Sequence, residues 1–319
     1  MKYLQKLGFK DVSEVLWLDI ETATIEKELT QESLYWDAWE QKVRWDEKVV
    51  TDEDIKERYK ERAPIYKEFS KIVSISYGRV KDGVLKVKNV VGQEKDIIEQ
   101  LFKDVEMFNA GGVKFLGVFS GKQFDVPFIS FRAIVNQIPV INAFDIGGLA
   151  PWNIKHIIDV QDILKGTSST GLSLQGVCAS LGLKSPKLGE VNGASVNEMY
   201  WQGGNIVKIS VYNNEDVLAT CNAFCKYLMI PTVEMEVVGG KVEVEKLPLL
   251  KQIWAQKRIT EENKKELLEL LKAKKLLKKD REKVLTLISA CLADIDANFG
   301  KVKNETDINN IINQLREEI

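Results

Sequence analysis

In Leu18-Asp19-Ile20-Glu21-Thr22, two carboxylates stand two residues apart. At the end of a strand that spacing turns Asp19 and Glu21 to one face and Ile20 to the other, into the core, and such a pair of acids can hold a divalent cation. Spacing alone says little, because the chain's 47 acidic residues generate it freely, as at Glu234 and Glu236, Glu243 and Glu245, and Asp294 and Asp296. Those three pairs fall in stretches that read as exposed hairpin or helix. What separates Asp19 and Glu21 is the apolar run Val15-Leu16-Trp17-Leu18 before them, since acids beside a core need a compensating cation or partner. Asp125 is enclosed by apolar residues in Gln123-Phe124-Asp125-Val126-Pro127-Phe128-Ile129. Taken alone, it would serve equally well as a helix cap. Tyr212 and Asp216, in Tyr212-Asn213-Asn214-Glu215-Asp216, are four apart on a helical stretch, so a phenol and a carboxylate can converge. Taken alone, Tyr212 reads more simply as a packed aromatic.

The elements that must position these groups follow from the pattern. Residues 15–18 read as a short buried strand ending at Asp19, and residues 26–62 as a polar, tryptophan-rich helical insertion. Residues 71–80 and 84–91 flank Lys81-Asp82-Gly83 as a hairpin. An amphipathic helix over 94–109 leads to a strand at 114–119 and then to Asp125 at the head of another helix. Beyond Gly171 the pattern is mostly helical, with helices over 172–181 and 205–229. A mixed sheet covered by helices fits this order, and no repeat is visible. After Pro231 the segments VEMEV and KVEVE flank Gly239-Gly240 as a second hairpin, and 260–319 read as helical, which puts a boundary near 247–251. The expected division is a domain over 1–230 with its insertion at 26–62, a hairpin and linker over 231–250, and a helical appendage over 251–319. Lys272, Lys274, Lys275, Lys278 and Lys279 could be a nucleic-acid patch, but such a run is more simply a solvated helix face. Trp36, Trp39 and Val43 fall at helical spacing with Tyr35 and Trp45 nearby; they could be a stacking platform for single strands, but read more simply as the face that docks the insertion.

Composition excludes several classes. A chain of 319 residues, 45% hydrophobic and 29% charged, can bury a large core. Its net charge of −2 argues against gripping nucleic acid by bulk positive charge, so any contact must be local. Cys178, Cys221, Cys225 and Cys291 form no CxxC pair, and the only histidine, His156, lies near none of them in sequence, which argues against zinc and disulfides. No apolar run is long enough to cross a bilayer, the start MKYLQKLGFK lacks a signal peptide's apolar stretch, and a cytoplasmic location is the working expectation.

Together the three pieces resemble the DEDD superfamily of 3'-5' exonucleases, in the tyrosine (DEDDy) branch related to the exonuclease domain of family-B DNA polymerases. The Asp-x-Glu of its first motif falls on Asp19 and Glu21, the Phe-Asp of the second on Phe124 and Asp125, and the Tyr-x-x-x-Asp of the third on Tyr212 and Asp216. The phrases IIDVQDIL at 157–164 and SLQGVCASLGL at 173–183, and the turn Trp201-Gln202-Gly203-Gly204, extend the resemblance over about residues 10–230. Many relatives carry Asn a few residues before the second-motif Asp, where this chain has Ser120. His156 lies far upstream of Asp216, which favours the tyrosine branch and leaves His156 structural.

The resemblance implies a ribonuclease H-like α/β fold and hydrolysis of phosphodiester bonds at single-stranded or frayed 3' ends of DNA, releasing nucleoside 5'-monophosphates. It implies two divalent metal ions, Mg2+ or Mn2+, roughly 3.5 to 4 Å apart. Asp19 would bridge the two ions, Glu21 and Asp216 would complete the shell of one, Asp125 would hold the other partly through water, and Tyr212 would orient the attacking water. Phe124 is a candidate to stack on the terminal base, and Ser120, Lys122 and Arg132 are candidates to contact substrate. Packing for Phe124 and a surface role for Arg132 are equally compatible with the sequence. Asp159 or Asp162 could stand near the site, but Asp145, Asp159 and Asp162 read more simply as cap or surface acids. An exoribonuclease of the same chemistry, or a non-catalytic module that binds nucleic acid or a replication partner such as a polymerase, are the alternatives.

Overall fold

A computed structural model describes residues 2–45, 51–150, 153–185, 193–202, 206–238, 260–272, 279–280, 282–284, 286–287, 312 and 315. The run Val15 to Thr24 forms the central strand, β1, and every one of its residues except the half-buried Asp19 is buried. A strand covered on both faces must be apolar on both, and β1 divides its side chains accordingly. Leu16, Leu18 and Ile20 join one core, and Val15 and Trp17 join another on the opposite face. β2 (Ser70–Lys81) and β3 (Val84–Val91) form the antiparallel hairpin beside it. Its turn has two residues, Asp82 and Gly83, both at positive φ (53° and 77°), the conformation that Asp-Gly supplies at least strain. Lys81 therefore ends β2 instead of entering the turn.

On the other side of β1, β4 (Phe115–Val118) pairs parallel with it and β5 (Ile157–Asp159) pairs parallel with β4. The sheet is completed by β6 (Glu234–Val237), in the order β5-β4-β1-β2-β3-β6. β6 lies parallel to β3, in the register Val84 with Glu234 to Val87 with Val237. The expected antiparallel hairpin starting at residue 231 thus has its first arm built into the main sheet, beyond the expected limit of 230. Its second arm, the boundary at 247–251, the pairs Glu243 and Glu245 and Asp294 and Asp296, Cys291 and most of the lysine cluster lie outside the described residues.

Helices cover both faces. After the short α1 (Lys2–Lys6), the insertion supplies α2 (Trp36–Val43) and α3 (Asp52–Arg62). Trp36 and Trp39 are buried in a small core with Leu29, Ile55, Tyr59, Ala63 and Phe69, which makes them the docking face, whereas Trp45 is exposed. α4 (Glu94–Ala110) buries Ile97, Ile98, Leu101, Phe102 and Val105, an amphipathic stripe, against the Leu16 face together with α5 (Asp125–Val135). The opposite face is covered by α6 (Val160–Lys165), α7 (Leu174–Leu181) and the long α9 (Ile206–Tyr227), whose Phe224 ring lies 5.2 Å from that of Trp17. α8 (Gly193–Trp201) packs Val196 against Ala23 at the end of β1.

The mixed sheet flanked by helices is the ribonuclease H-like α/β fold. Contacts divide the chain into one compact unit, residues 1–201 with 206–240, and a second, residues 202–205 with 241–319. Within the second, α10 (Glu261–Lys272) buries Leu267 and Leu271. Among the described residues no helix is long and apolar enough to cross a membrane.

Candidate active site

Asp19 and Glu21 lie in the middle of β1, not at its end, because the strand continues to Thr24. What ends near them is the neighbour: the β1–β4 pairing stops at Trp17 with Gly117. Beyond that point one edge of β1 is open, and the acids stand beside the opening. The freed backbone amide of Ile20 donates to Asp125 Oδ1 at 3.1 Å, so the second-motif acid fills the edge that β4 vacates. On the other edge the β1–β2 register shifts between Glu21 and Thr22, leaving Val73 as an extra residue in β2. Such bulges re-aim side chains next to sites. The Ile72 amide at this bulge donates to Glu94 Oε1 at 2.8 Å.

α9 completes the site from above the sheet. Tyr212 and Asp216, one turn apart, are both 8% exposed, as is Glu21. Carboxylate oxygens of Asp19, Glu21 and Asp216 lie within 4.8 Å of one another. Asp125 stands beside this trio, close enough for its charge to act on Asp19 and Glu21. Burial first, and then repulsion from neighbouring carboxylates, holds the Asp19 and Glu21 carboxyls well above the usual carboxylate range. Burial pushes Asp125 up to about 7, against the lowering effect of the Ile20 amide. Burial also raises the Tyr212 phenol, helped by the charges of Asp216, Glu21 and Asp19, so it stays protonated, and its hydroxyl is hydrogen-bonded to Asp216.

Three acids whose oxygens converge, two of them buried and Asp19 half-buried, with a fourth beside them, make a hard-oxygen donor set, and the charges that weigh most on Asp19, Glu21 and Asp125 are those of other carboxylates. That chemistry fits Mg2+ or Mn2+, which take oxygen ligands. A pH dependence follows. The raised folded-state pKa means that the folded protein binds protons more tightly than the unfolded chain. Without metal, stability should therefore fall as pH rises from the ordinary Asp value of 3.8 to about 7. Melting in chelator should be lower at pH 8 than at pH 5, Asp125→Asn should shrink the difference, and Mn2+ should restore the parent at pH 8. An equal difference in Asp125→Asn would contradict the assignment.

The loop before Asp125 is held by an acid outside the three motifs. Asp159, 3% exposed, accepts from the amides of Ser120 (2.9 Å) and Lys122 (3.0 Å), and also caps α6 through the Gln161 and Asp162 amides. The cap role expected for it is present, and the same carboxylate fixes the approach to Asp125. Gly121 sits where any Cβ would come within 2.5 Å of Asp125 Oδ2. Ser120 adopts φ 61°, a left-handed conformation that asparagine takes more readily than serine. Asp125 does not cap α5, because the N-cap position is Phe124.

The candidate substrate contacts divide. Phe124 is half-buried, with its ring 5.4 Å from that of Phe128. Lys122 Nζ lies 3.8 Å from Asp162. Arg132 is not a surface residue. It is 6% exposed, and its guanidinium grips Glu94 at 2.8 and 2.6 Å, the same carboxylate that receives the bulge amide of Ile72. Arg132 therefore supports the strand next to Glu21. His156 Nε2 meets the Ala143 carbonyl at 3.1 Å, a structural role.

One further group was not evident in the sequence. Asn213 Nδ2 donates to Asp19 Oδ2 at 2.5 Å. Asn213, Asn214, Ser74, Ser76 and Asn89 form a buried polar layer between α9 and the sheet. Their signal was polar residues inside apolar elements, Ser74 and Ser76 in an otherwise apolar strand and a pair of asparagines within α9.

The family model described as a predicted 3'-5' exonuclease related to the exonuclease domain of PolB matches residues 65–266. The match takes in Asp125, Tyr212 and Asp216 and begins after Asp19 and Glu21, which the fold itself brings to the same place. No curated protein matches the chain.

Proposed function

Because this chain belongs to the family of predicted 3'-5' exonucleases related to the exonuclease domain of PolB, we propose that it hydrolyses phosphodiester bonds at single-stranded or frayed 3' ends of DNA. The observation that carries this reading is the convergence of Asp19, Glu21 and Asp216 oxygens beside Asp125 and a protonated Tyr212. A phosphodiester is an anion, and four carboxylates would repel it unless cations intervene. Two Mg2+ or Mn2+ ions, when bound, would neutralise that charge, activate water and stabilise the leaving oxygen.

The chain's own groups then have separable tasks. Asp19, Glu21 and Asp216 would present oxygens to the ions, and Asp125, held by the Ile20 amide, would present one from the opposite side of β1's open edge. Tyr212 would act as a donor. Its hydroxyl, kept protonated by burial and by the acids around it, donates its one hydrogen bond to Asp216 here and would turn it to a water or a phosphate oxygen once cations occupy that carboxylate. Phe124, half-buried beside Asp125, would offer a ring edge to the terminal base, and Lys122 and Ser120 line the same loop.

Digestion of 5'-labelled DNA and RNA of one sequence, with a circular single strand as a third substrate, tests the reading. Linear DNA should shorten stepwise from its 3' end, RNA should shorten more slowly, and the circle should stay intact. RNA digested as fast as DNA would overturn the DNA preference, and cutting of the circle would overturn the exonuclease assignment.

A further inference from the structure

We propose that Asn213 is a positioning residue for Asp19, held in orientation by a buried polar layer reaching to β3, and that this layer sets how tightly the site takes a divalent cation. The inference rests on the reading of the carboxylates as metal ligands.

Asn213 is fully buried, and its Nδ2 donates to Asp19 Oδ2 at 2.5 Å. That bond occupies one lone pair and fixes the rotation of the carboxylate, leaving its remaining lone pairs for the space shared with Glu21 and Asp216. An amide side chain has nearly the same shape when flipped, so something must decide which end faces Asp19. The other end of Asn213 does so. Its Oδ1 accepts from Ser74 Oγ at 2.9 Å and from Asn89 Nδ2 at 3.4 Å.

Ser74 is committed in turn, because its Oγ accepts from Asn89 Nδ2 at 2.8 Å, which directs its own hydrogen toward Asn213. Asn89 Nδ2 also donates to Ser76 Oγ at 2.8 Å, and Ser76 donates to Asn214 Oδ1 at 2.8 Å. The five side chains are between 0% and 6% exposed, so water does not compete for these bonds. Donor direction thus runs one way, from Asn89 on β3 through Ser74 on β2 to Asn213 on α9 and Asp19 on β1. A flipped Asn213 would set its oxygen against the carboxylate and its NH2 against the Asn89 NH2 and a hydroxyl that already accepts one hydrogen bond.

The layer is not fully satisfied. Asn89 Oδ1 is buried and has no hydrogen-bond partner among the described residues. Apolar side chains of similar size would cover this face of the sheet without stranding an acceptor. What the asparagine on β3 adds is direction, and groups that orient a metal ligand typically change metal affinity about ten- to a hundredfold when removed.

The test is calorimetric titration of Mn2+ into the full chain without nucleic acid, alongside melting, for the parent, Asn213→Ala and Asn89→Leu. Asn213→Ala should weaken Mn2+ binding about ten- to a hundredfold. Asn89→Leu touches no carboxylate, and it should weaken Mn2+ binding about threefold or more while melting at the parent temperature or above, since it removes the stranded Oδ1. A merely structural layer cannot give weaker binding and unchanged or higher melting together. If the parent binds Mn2+ and Asn213→Ala binds it as tightly, the positioning role is overturned while the metal reading stands. If Asn213→Ala does not fold, Asn89→Leu decides, and unaltered Mn2+ affinity in a folded Asn89→Leu overturns the reach to β3. A parent that takes up no Mn2+ overturns the metal reading and this inference with it.

Discussion

Asp19→Ala should lower nucleic-acid hydrolysis about a thousandfold or more, equivalent to about 4 kcal/mol of barrier, while the protein melts at the parent temperature or higher. The two halves of this expectation have one cause. Asp19 is the acid on which Asp125, Asp216 and Glu21 all press, and burial and repulsion hold its carboxyl well above the usual range. Removing it takes an oxygen from the converging trio and relieves the like charges around it. The substitution also leaves the Asn213 amide without its acceptor, which costs about 1 kcal/mol and works against the relief. Chelator-treated protein should show the stabilisation most clearly, because bound cations mask the repulsion in the parent. Hydrolysis near the parent rate would remove Asp19 from the ligand set. A melting temperature several degrees lower would mean that the carboxylate is a structural acceptor first.

Tyr212→Phe should slow turnover about ten- to a thousandfold, or about 1.4 to 4 kcal/mol, with little change in Mn2+ or oligonucleotide binding. Only the hydroxyl is lost, and it is hydrogen-bonded to Asp216 in a site that keeps the phenol protonated. A group that donates a hydrogen bond without ligating metal acts on the chemical step more than on binding. The ring, only 8% exposed, also packs, so Tyr212→Ala should lower stability by about 2 to 5 kcal/mol where Tyr212→Phe does not. Turnover unchanged in Tyr212→Phe, with Tyr212→Ala destabilised, would make Tyr212 a packing residue and nothing more.

Much of this architecture was legible because its signals are local. The hairpin of β2 and β3 is written in alternating residues around Asp82-Gly83, and α4 in the spacing of Ile97, Leu101 and Val105. Trp36 and Trp39 announced a docking face for the same reason. The acids of the site could be found because charge after an apolar run is anomalous wherever it occurs. Four features were not legible. The continuation of β1 past Asp19 depends on pairing with β2 and on cover from α8 and α9, which outweigh the poor strand propensity of acids. Arg132 looked exposed because arginine usually is, and only the fold shows Glu94 and the Ile72 amide beside it. The layer that orients Asp19 joins Ser74 to Asn213 across 139 residues, and no pattern within either segment names its partner. β6 read as half of a local hairpin, since alternation specifies a strand but not which edge it joins.

In the proposed function, the carboxylates converging at β1 and α9 hold divalent cations and so remove nucleotides from a 3' end. The measurement that meets it most directly is digestion of a 5'-labelled single-stranded DNA by the full chain stripped of metal, before and after Mg2+ or Mn2+ is restored. DNA should stay intact in excess chelator and give a ladder shortening one nucleotide at a time once metal is added, with the same ladder absent in Asp19→Ala. Equal shortening in the presence of chelator, or none with either ion, would contradict that function.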